Sequence, residues 1–138
     1  MPHPEFFDQV PRIALRDPLA AFLGSFADGV VDYGYLDAVR LAGHSCPTVA
    51  GAYLMTAKAL ATLYGDALPE RGRIRVEFRA SATQGVTGVI AGVVSLMWPI
   101  RAHGVCHSSR HSPSAVKQCQ VRLDAYTTFN PVTAHGVC

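Results

Sequence analysis

The stretch that most constrains the fold is Gly43-His44-Ser45-Cys46-Pro47-Thr48, because an apolar segment follows it directly and continues to Tyr64. Proline is common at the first position of a helix, where its missing N–H has no partner to lose. This segment therefore predicts a helix over residues 47–64. Apolar side chains recur along it three and four residues apart, and Lys58 is its only charged residue. We therefore expect this helix to be buried on most sides.

The residues just before this helix can carry chemistry. A cysteine at a helix start faces unpaired backbone N–H groups and the positive end of the helix dipole, a setting that favours thiolate over thiol. Thiolate and neutral imidazole are both good zinc ligands. His44 and Cys46 are thus candidate ligands of a divalent transition metal, with zinc as the first choice. We expect both to line one pocket at the start of this helix, with the thiol pointing toward its free N–H groups. Two alternatives are a nucleophilic Cys46 with His44 as its base, and a purely structural pair at a tight turn.

Four further segments carry the periodicity of a helix or a strand. Asp17-Pro18 predicts a helix over residues 17–27, whose apolar stripe we expect in the core rather than in a partner-binding groove. Residues 30–41 are rich in β-forming side chains and predict a strand. Residues 73–79 alternate between charged and apolar side chains and predict a half-buried strand. Residues 85–97 predict a second buried helix, whose glycines allow close contact with a neighbouring element.

These segments predict an α+β fold, in which a small, largely antiparallel sheet packs with two buried helices, 47–64 and 85–97. With 49% hydrophobic and 16% charged residues, the composition is that of a compact globule. No apolar run is long enough to span a membrane and the N-terminus lacks the pattern of a signal peptide, so we expect a cytoplasmic protein without membrane contact. The charge is too balanced for nucleic-acid binding.

The C-terminal part of the chain differs from the rest. Residues 1–98 carry eight basic and nine acidic side chains, whereas residues 99–138 carry four basic side chains and one acidic. The second part has no apolar period, although residues 118–126 could form one strand. We therefore predict a core domain over residues 1–98. Residues 99–138 are interpreted either as a divergent, irregular tail or as the product of an aberrant translation, and we expect them to be poorly ordered or loosely packed.

Two stretches of the chain resemble a known family. The run LAGHSCPTVAGAYLM (41–55) resembles the Gly-His-x-Cys-Pro signature of the formylmethanofuran dehydrogenase E-subunit-like family, and the resemblance continues through GRIRVEFRASATQGVTGVIAGVVSLM (72–97). It covers about residues 12–97 and implies a metal-binding protein with an accessory role in one-carbon or redox metabolism. Many family members carry another cysteine at the start of the second helix, but this chain has Thr83-Gln84-Gly85 there.

Three functional hypotheses follow. The first is a zinc-like metal protein with His44 and Cys46 as ligands; since a zinc shell needs four, the others must come from elsewhere in the chain, a second copy of the protein or water. The second is a thiol-dependent enzyme that uses Cys46 and His44. The third is a structural or subunit-interaction domain whose site has decayed. We expect a homodimer and a small-molecule ligand, and we leave enzymatic activity open.

Overall fold

The computed structural model describes residues 2–78, 81–98 and 119–123. A short 3-10 helix, the N-terminal turn, spans Glu5–Gln9. The elements that follow it are β1 (Ile13–Arg16), α1 (Pro18–Phe22), β2 (Val30–Tyr33), α2 (Tyr35–Ala42), α3 (Pro47–Tyr64), β3 (Ile74–Phe78), α4 (Thr87–Met97) and β4 (Cys119–Leu123).

The fold is α+β, as the sequence predicts. Strands β1 and β2 pair antiparallel, but β3 and β4 form a second, parallel pair instead of extending one largely antiparallel sheet, because a crossover that includes α4 joins them. Helices α2, α3 and α4 pack against one another, and α2 also contacts the N-terminal turn. Buried side chains of β1 and β3, among them Leu15 and Ile74, join the helices in one hydrophobic core. Burial of this shared apolar surface is what holds the short strands against the helices.

The two buried helices are confirmed. Helix α3 begins at Pro47 and ends at Tyr64, and Cys46 and Gly65 are its capping residues. Helix α4 covers most of the predicted segment and packs against α3. Gly88 shows how its glycines work, because a Cβ atom added there would lie 2.6 Å from the carbonyl oxygen of Ala82. The close approach is thus to the preceding loop.

The predicted strand over residues 30–41 is wrong beyond its first four residues. Strand β2 ends at Tyr33, and α2 occupies the remainder. Gly34 is the N-cap of α2, and the Asp37 carboxylate accepts a hydrogen bond from its N–H at 2.8 Å. At the other end, Gly43 adopts a φ of 79°, the left-handed conformation that commonly terminates helices. These caps outweigh the β-propensity of the side chains between them.

The prediction for residues 17–27 is correct in type but wrong in packing. Asp17 caps α1 through its carboxylate, which accepts hydrogen bonds from two backbone N–H groups at 3.0 and 3.2 Å. The helix ends at Phe22, however, after little more than one turn. The large apolar side chains of this helix and of the residues that follow it are between 46% and 86% exposed: Leu19, Phe22, Leu23 and Phe26. This helix is too short to align the four residues on one core-facing stripe.

One part of the C-terminal segment forms regular structure. Strand β4 runs parallel to β3, with Cys119 opposite Ile74 and Leu123 opposite Phe78. It agrees with the strand predicted over residues 118–126. The prediction of an irregular tail otherwise concerns residues 99–118 and 124–138, which lie outside the described residues. Within the described ranges, no helix is both long and apolar enough to cross a lipid bilayer.

The ion pair between Asp17 and Arg71 predicts a dependence of stability on acid. Arg71 Nη1 lies 3.0 Å from the Asp17 carboxylate. Burial alone would raise the pKa of Asp17, but the N–H of Ala20 and the guanidinium of Arg71 lower it below its ordinary value of 3.8. Because ionised Asp17 favours the folded state, its contribution is present above pH 3.8 and is lost as the pH falls through the lowered pKa.

Urea unfolding of the wild type and Asp17→Asn between pH 7 and pH 2 measures this contribution. Asparagine retains the cap but not the charge. The variant should be less stable at pH 7, and the difference should shrink toward pH 2. If the difference in stability between the two proteins stays the same from pH 7 to pH 2, the charge of Asp17 does not stabilise the fold.

Candidate functional site

The candidate ligands lie on the short connection between α2 and α3. Gly43 ends α2, and its N–H donates to the Val39 carbonyl at 2.8 Å. Cys46 is in an extended conformation with φ −144° and ψ 167°, and Pro47 begins α3 directly after it. A fixed helix end and a fixed helix start therefore hold His44 and Cys46 on either side of Ser45.

The Cys46 thiol is partly exposed and is not engaged by the helix start. Its side chain accepts no capping hydrogen bond, although the sequence predicts that it points toward the free N–H groups of the first turn. Its carbonyl oxygen instead accepts the first hydrogen bond of α3, from the N–H of Ala50 at 3.0 Å. The Cys46 side chain is therefore partly buried against the hydrophobic core and forms no hydrogen bond with the helix start.

His44 is exposed, and one backbone contact fixes its imidazole. Nδ1 lies 3.0 Å from the carbonyl oxygen of Ala42. A carbonyl can only accept, so Nδ1 donates, and in the neutral ring Nε2 then carries the lone pair. Among the described residues, Nε2 has no hydrogen-bond partner. This is the arrangement in which metal-binding histidines are commonly found, with the second ring nitrogen held by a backbone or carboxylate oxygen.

A cavity of about 430 Å³ opens beside the start of α3. Its apolar wall comes from the N-terminal turn and its C-terminal neighbour, and from the first turns of α3: Phe6, Val10, Pro47, Ala50 and Leu54. Its polar wall consists of Tyr35, Ser45 and Cys46. The sequence predicts that His44 and Cys46 line one pocket, but of these two only Cys46 is part of its wall.

Aromatic contacts hold the N-terminal turn in place. The Phe7 ring is buried and meets the ring of Tyr35 edge-on, with the centroids 4.9 Å apart. Tyr35 in turn meets Tyr53 of α3 edge-on at 5.6 Å. This geometry is favourable for aromatic pairs. It anchors Phe7 in the core and thereby positions its neighbour Phe6 at the mouth of the cavity.

Two hydroxyl groups form the polar part of the wall. Tyr35 Oη and Ser45 Oγ lie 2.8 Å apart and share one hydrogen bond. Sequence reasoning missed this pair, because it assigned Tyr35 to a strand. It also missed Phe6 and Val10, because the proline-rich N-terminus around them gives no indication that they line a cavity. A helix assignment for residues 35–42, based on the Gly34 and Asp37 capping pattern, would have brought Tyr35 close to Ser45.

The buried hydroxyl of Tyr53 supports the same region and predicts a measurable cost. It donates to the carbonyl oxygens of Pro11 and Tyr33, at 2.8 and 3.0 Å. Tyr53→Phe would leave both carbonyls without this donor, so we expect a loss of about 1–3 kcal/mol in the free energy of unfolding. Tyr33→Phe is the matched control, because the Tyr33 hydroxyl has no hydrogen bond to any described residue. Equal losses in the two variants, measured by urea unfolding, would contradict this role.

The Tyr53 hydroxyl should lose its proton at a higher pH than an exposed tyrosine does. Burial raises the pKa of Tyr53 from 10.0 to about 12. Because the folded state holds this proton more tightly than the unfolded state, its contribution to stability should fall as the pH rises above 10.0. A spectrophotometric titration of the phenols in the wild type and Tyr53→Phe would isolate this group. A Tyr53 hydroxyl that ionises near pH 10.0 would disagree with its burial.

The donor set fits part of a metal shell. Nitrogen and sulfur ligands suit zinc, and His44 and Cys46 can supply one of each. Within residues 2–78, 81–98 and 119–123, no group of three or more His, Cys, Asp or Glu side chains could hold a metal ion. A metal held by His44 and Cys46 would therefore have only a two-ligand half-site among the described residues, not a closed structural centre. Comparison of the chain with protein-family models, with curated proteins and with solved structures found no match.

Proposed function

We propose that the protein binds a divalent transition metal, zinc in the first place, through His44 Nε2 and Cys46 Sγ. The observation that carries this proposal is the hydrogen bond from His44 Nδ1 to the Ala42 carbonyl at 3.0 Å. Because Nδ1 carries the proton, the lone pair of Nε2 is free on an exposed ring. Orientation of this kind usually makes a histidine a better ligand. The thiol of Cys46, two residues away, is partly exposed and free of capping bonds.

The remaining coordination positions need other donors. Two protein ligands leave two positions of a tetrahedral shell open, and water, a small molecule or a second copy in a homodimer could fill them. An open position is characteristic of zinc sites that act on a ligand rather than of structural ones. A metal bound here would supply Lewis-acid polarisation of a ligand oxygen. With the family resemblance, this supports an accessory role in one-carbon or redox metabolism in the cytoplasm.

A thiol-dependent enzyme is the second candidate. Cys46 lines the cavity of about 430 Å³, whereas His44 lies outside its wall. The thiol can thus meet a ligand in the cavity without the metal and without His44. In this alternative Cys46 acts as the nucleophile and loses its proton to water, because none of the described residues that line the cavity is a base.

Metal analysis and cobalt spectroscopy of the full chain test the first proposal. The purified protein should carry zinc after expression in zinc-supplemented medium. Replacing it with Co²⁺ should give the near-ultraviolet absorption of a thiolate–cobalt bond, which requires a cysteine ligand. Absence of both bound zinc and this band would reject the metal site. In that case, rapid alkylation of Cys46 by iodoacetamide at neutral pH would favour the thiol enzyme, and slow alkylation would favour a structural domain.

A further inference from the structure

The cavity beside Cys46 is half open to solvent and mostly apolar. Its volume of about 430 Å³ lies within the range of ligand pockets, which are mostly apolar with a few convergent polar groups. Two large apolar side chains from different elements stand at its mouth. Phe6 of the N-terminal turn is 55% exposed and Leu54 of α3 is 49% exposed. An apolar body placed between them would cover surface that both now present to water.

The polar wall indicates what else such a ligand must carry. Tyr35 and Ser45 each have one O–H, and their mutual hydrogen bond at 2.8 Å uses only one of the two. The other O–H has no acceptor among the described residues. A hydrogen-bond acceptor on the ligand would therefore find a donor at this wall, of which Cys46 is also a part.

We propose that this cavity binds a small molecule with an apolar, ring-sized body and a carbonyl-type acceptor. The body lies between Phe6 and Leu54, and the carbonyl oxygen accepts the spare O–H of the Tyr35–Ser45 pair. This places the carbonyl group beside Cys46. The proposal goes beyond metal binding and does not depend on it, because neither Phe6, Leu54 nor the hydroxyl pair is a metal ligand.

Acetophenone and ethylbenzene are suitable probes, because they share a ring-sized body and only the first carries a carbonyl. Each is titrated into the full chain freed of metal with EDTA, and binding is followed through backbone amide chemical shifts. Both probes should shift the amides of Cys46, Ala50 and Leu54. If neither probe moves these amides, the cavity does not bind such ligands and the proposal fails.

Two variants locate the apolar contact. Leu54→Gln should weaken the binding of both probes by about fivefold, since it removes one apolar side of the mouth. Val89→Gln replaces a comparably exposed apolar residue of α4 that does not line the cavity. It should leave both dissociation constants unchanged. Equal effects of the two substitutions would place the binding elsewhere and reject the site.

The double variant Tyr35→Phe with Ser45→Ala tests the polar contact. It removes both hydroxyl groups together and leaves neither with a lost partner, which is usually well tolerated. It should weaken acetophenone binding by about threefold or more and leave ethylbenzene binding unchanged. An equal effect on both probes would reject the carbonyl contact. If Leu54→Gln instead converts a dimer into a monomer in sedimentation experiments, a second copy occupies the cavity and the small-molecule proposal is wrong.

Discussion

Replacing Cys46 with alanine should lower the affinity of the protein for Zn²⁺ by at least about tenfold, because even the loss of a hydrogen-bond partner behind a metal ligand costs that much. Removing His44 should have a similar effect, since a two-ligand half-site cannot lose either member and still hold the ion well. Titration of Co²⁺ with absorbance detection, followed by competition with Zn²⁺, measures both affinities. The Cys46→Ala variant should in addition lose the thiolate–cobalt band completely.

His3 provides the matched control for the histidine. It is the other histidine among the described residues, and its Nε2 already lies 3.1 Å from the carboxylate of Asp8. His3→Ala should therefore leave metal affinity unchanged, whereas His44→Ala should reduce it. If Cys46→Ala and His44→Ala both bind zinc as the wild type does, the metal has other ligands. His44 and Cys46 would then be a structural pair at a helix start.

The parts of the fold that the sequence predicts well are those with their own boundaries. Helix α3 has a proline at its first position and a glycine after its last residue, so both of its ends are encoded locally. Strand β3 alternates charged and apolar side chains over its whole length and is found where this alternation predicts it. In both, local propensity and the requirement for burial favour the same structure.

The errors arise where local signals compete. Tyr35 to Leu41 contains β-forming residues, but it also has apolar side chains three and four apart and a capping pattern at Gly34 and Asp37, and the caps decide. The prediction that the apolar side chains after Asp17 lie in the core is wrong for another reason. Periodicity predicts which residues share a face, but it cannot show whether a neighbouring element covers that face.

The candidate site was predictable only in its local half. His44 and Cys46 are identified by residue type and by the proline that follows, and the structure confirms that Cys46 lies at the helix start. The rest of the cavity depends on contacts between distant parts of the chain. Phe6 reaches its mouth because Phe7 packs against Tyr35, about thirty residues further on, and no periodicity in the sequence encodes such a contact.

The largest loss of stability should come from the centre of α3 rather than from its start. Leu60 is 5% exposed and belongs to the hydrophobic core. Leu60→Ala should lower the free energy of unfolding by about 2–5 kcal/mol, because it removes buried apolar surface and leaves a cavity that the surrounding helices can close only in part. Chemical unfolding in urea, with an unchanged dependence on denaturant concentration, measures this loss.

Leu54 is the matched control, because the same substitution in the same helix then affects a side chain that is 49% exposed. Leu54→Ala should cost about 1 kcal/mol or less. Cys46→Ala and His44→Ala should also cost less than Leu60→Ala, since Cys46 packs against the core but is only partly buried, and the His44 ring is exposed. If Cys46→Ala destabilises the metal-free protein as much as Leu60→Ala does, then Cys46 serves the fold first. The metal site would lose its main support, because a cysteine kept for packing needs no ligand to explain its position.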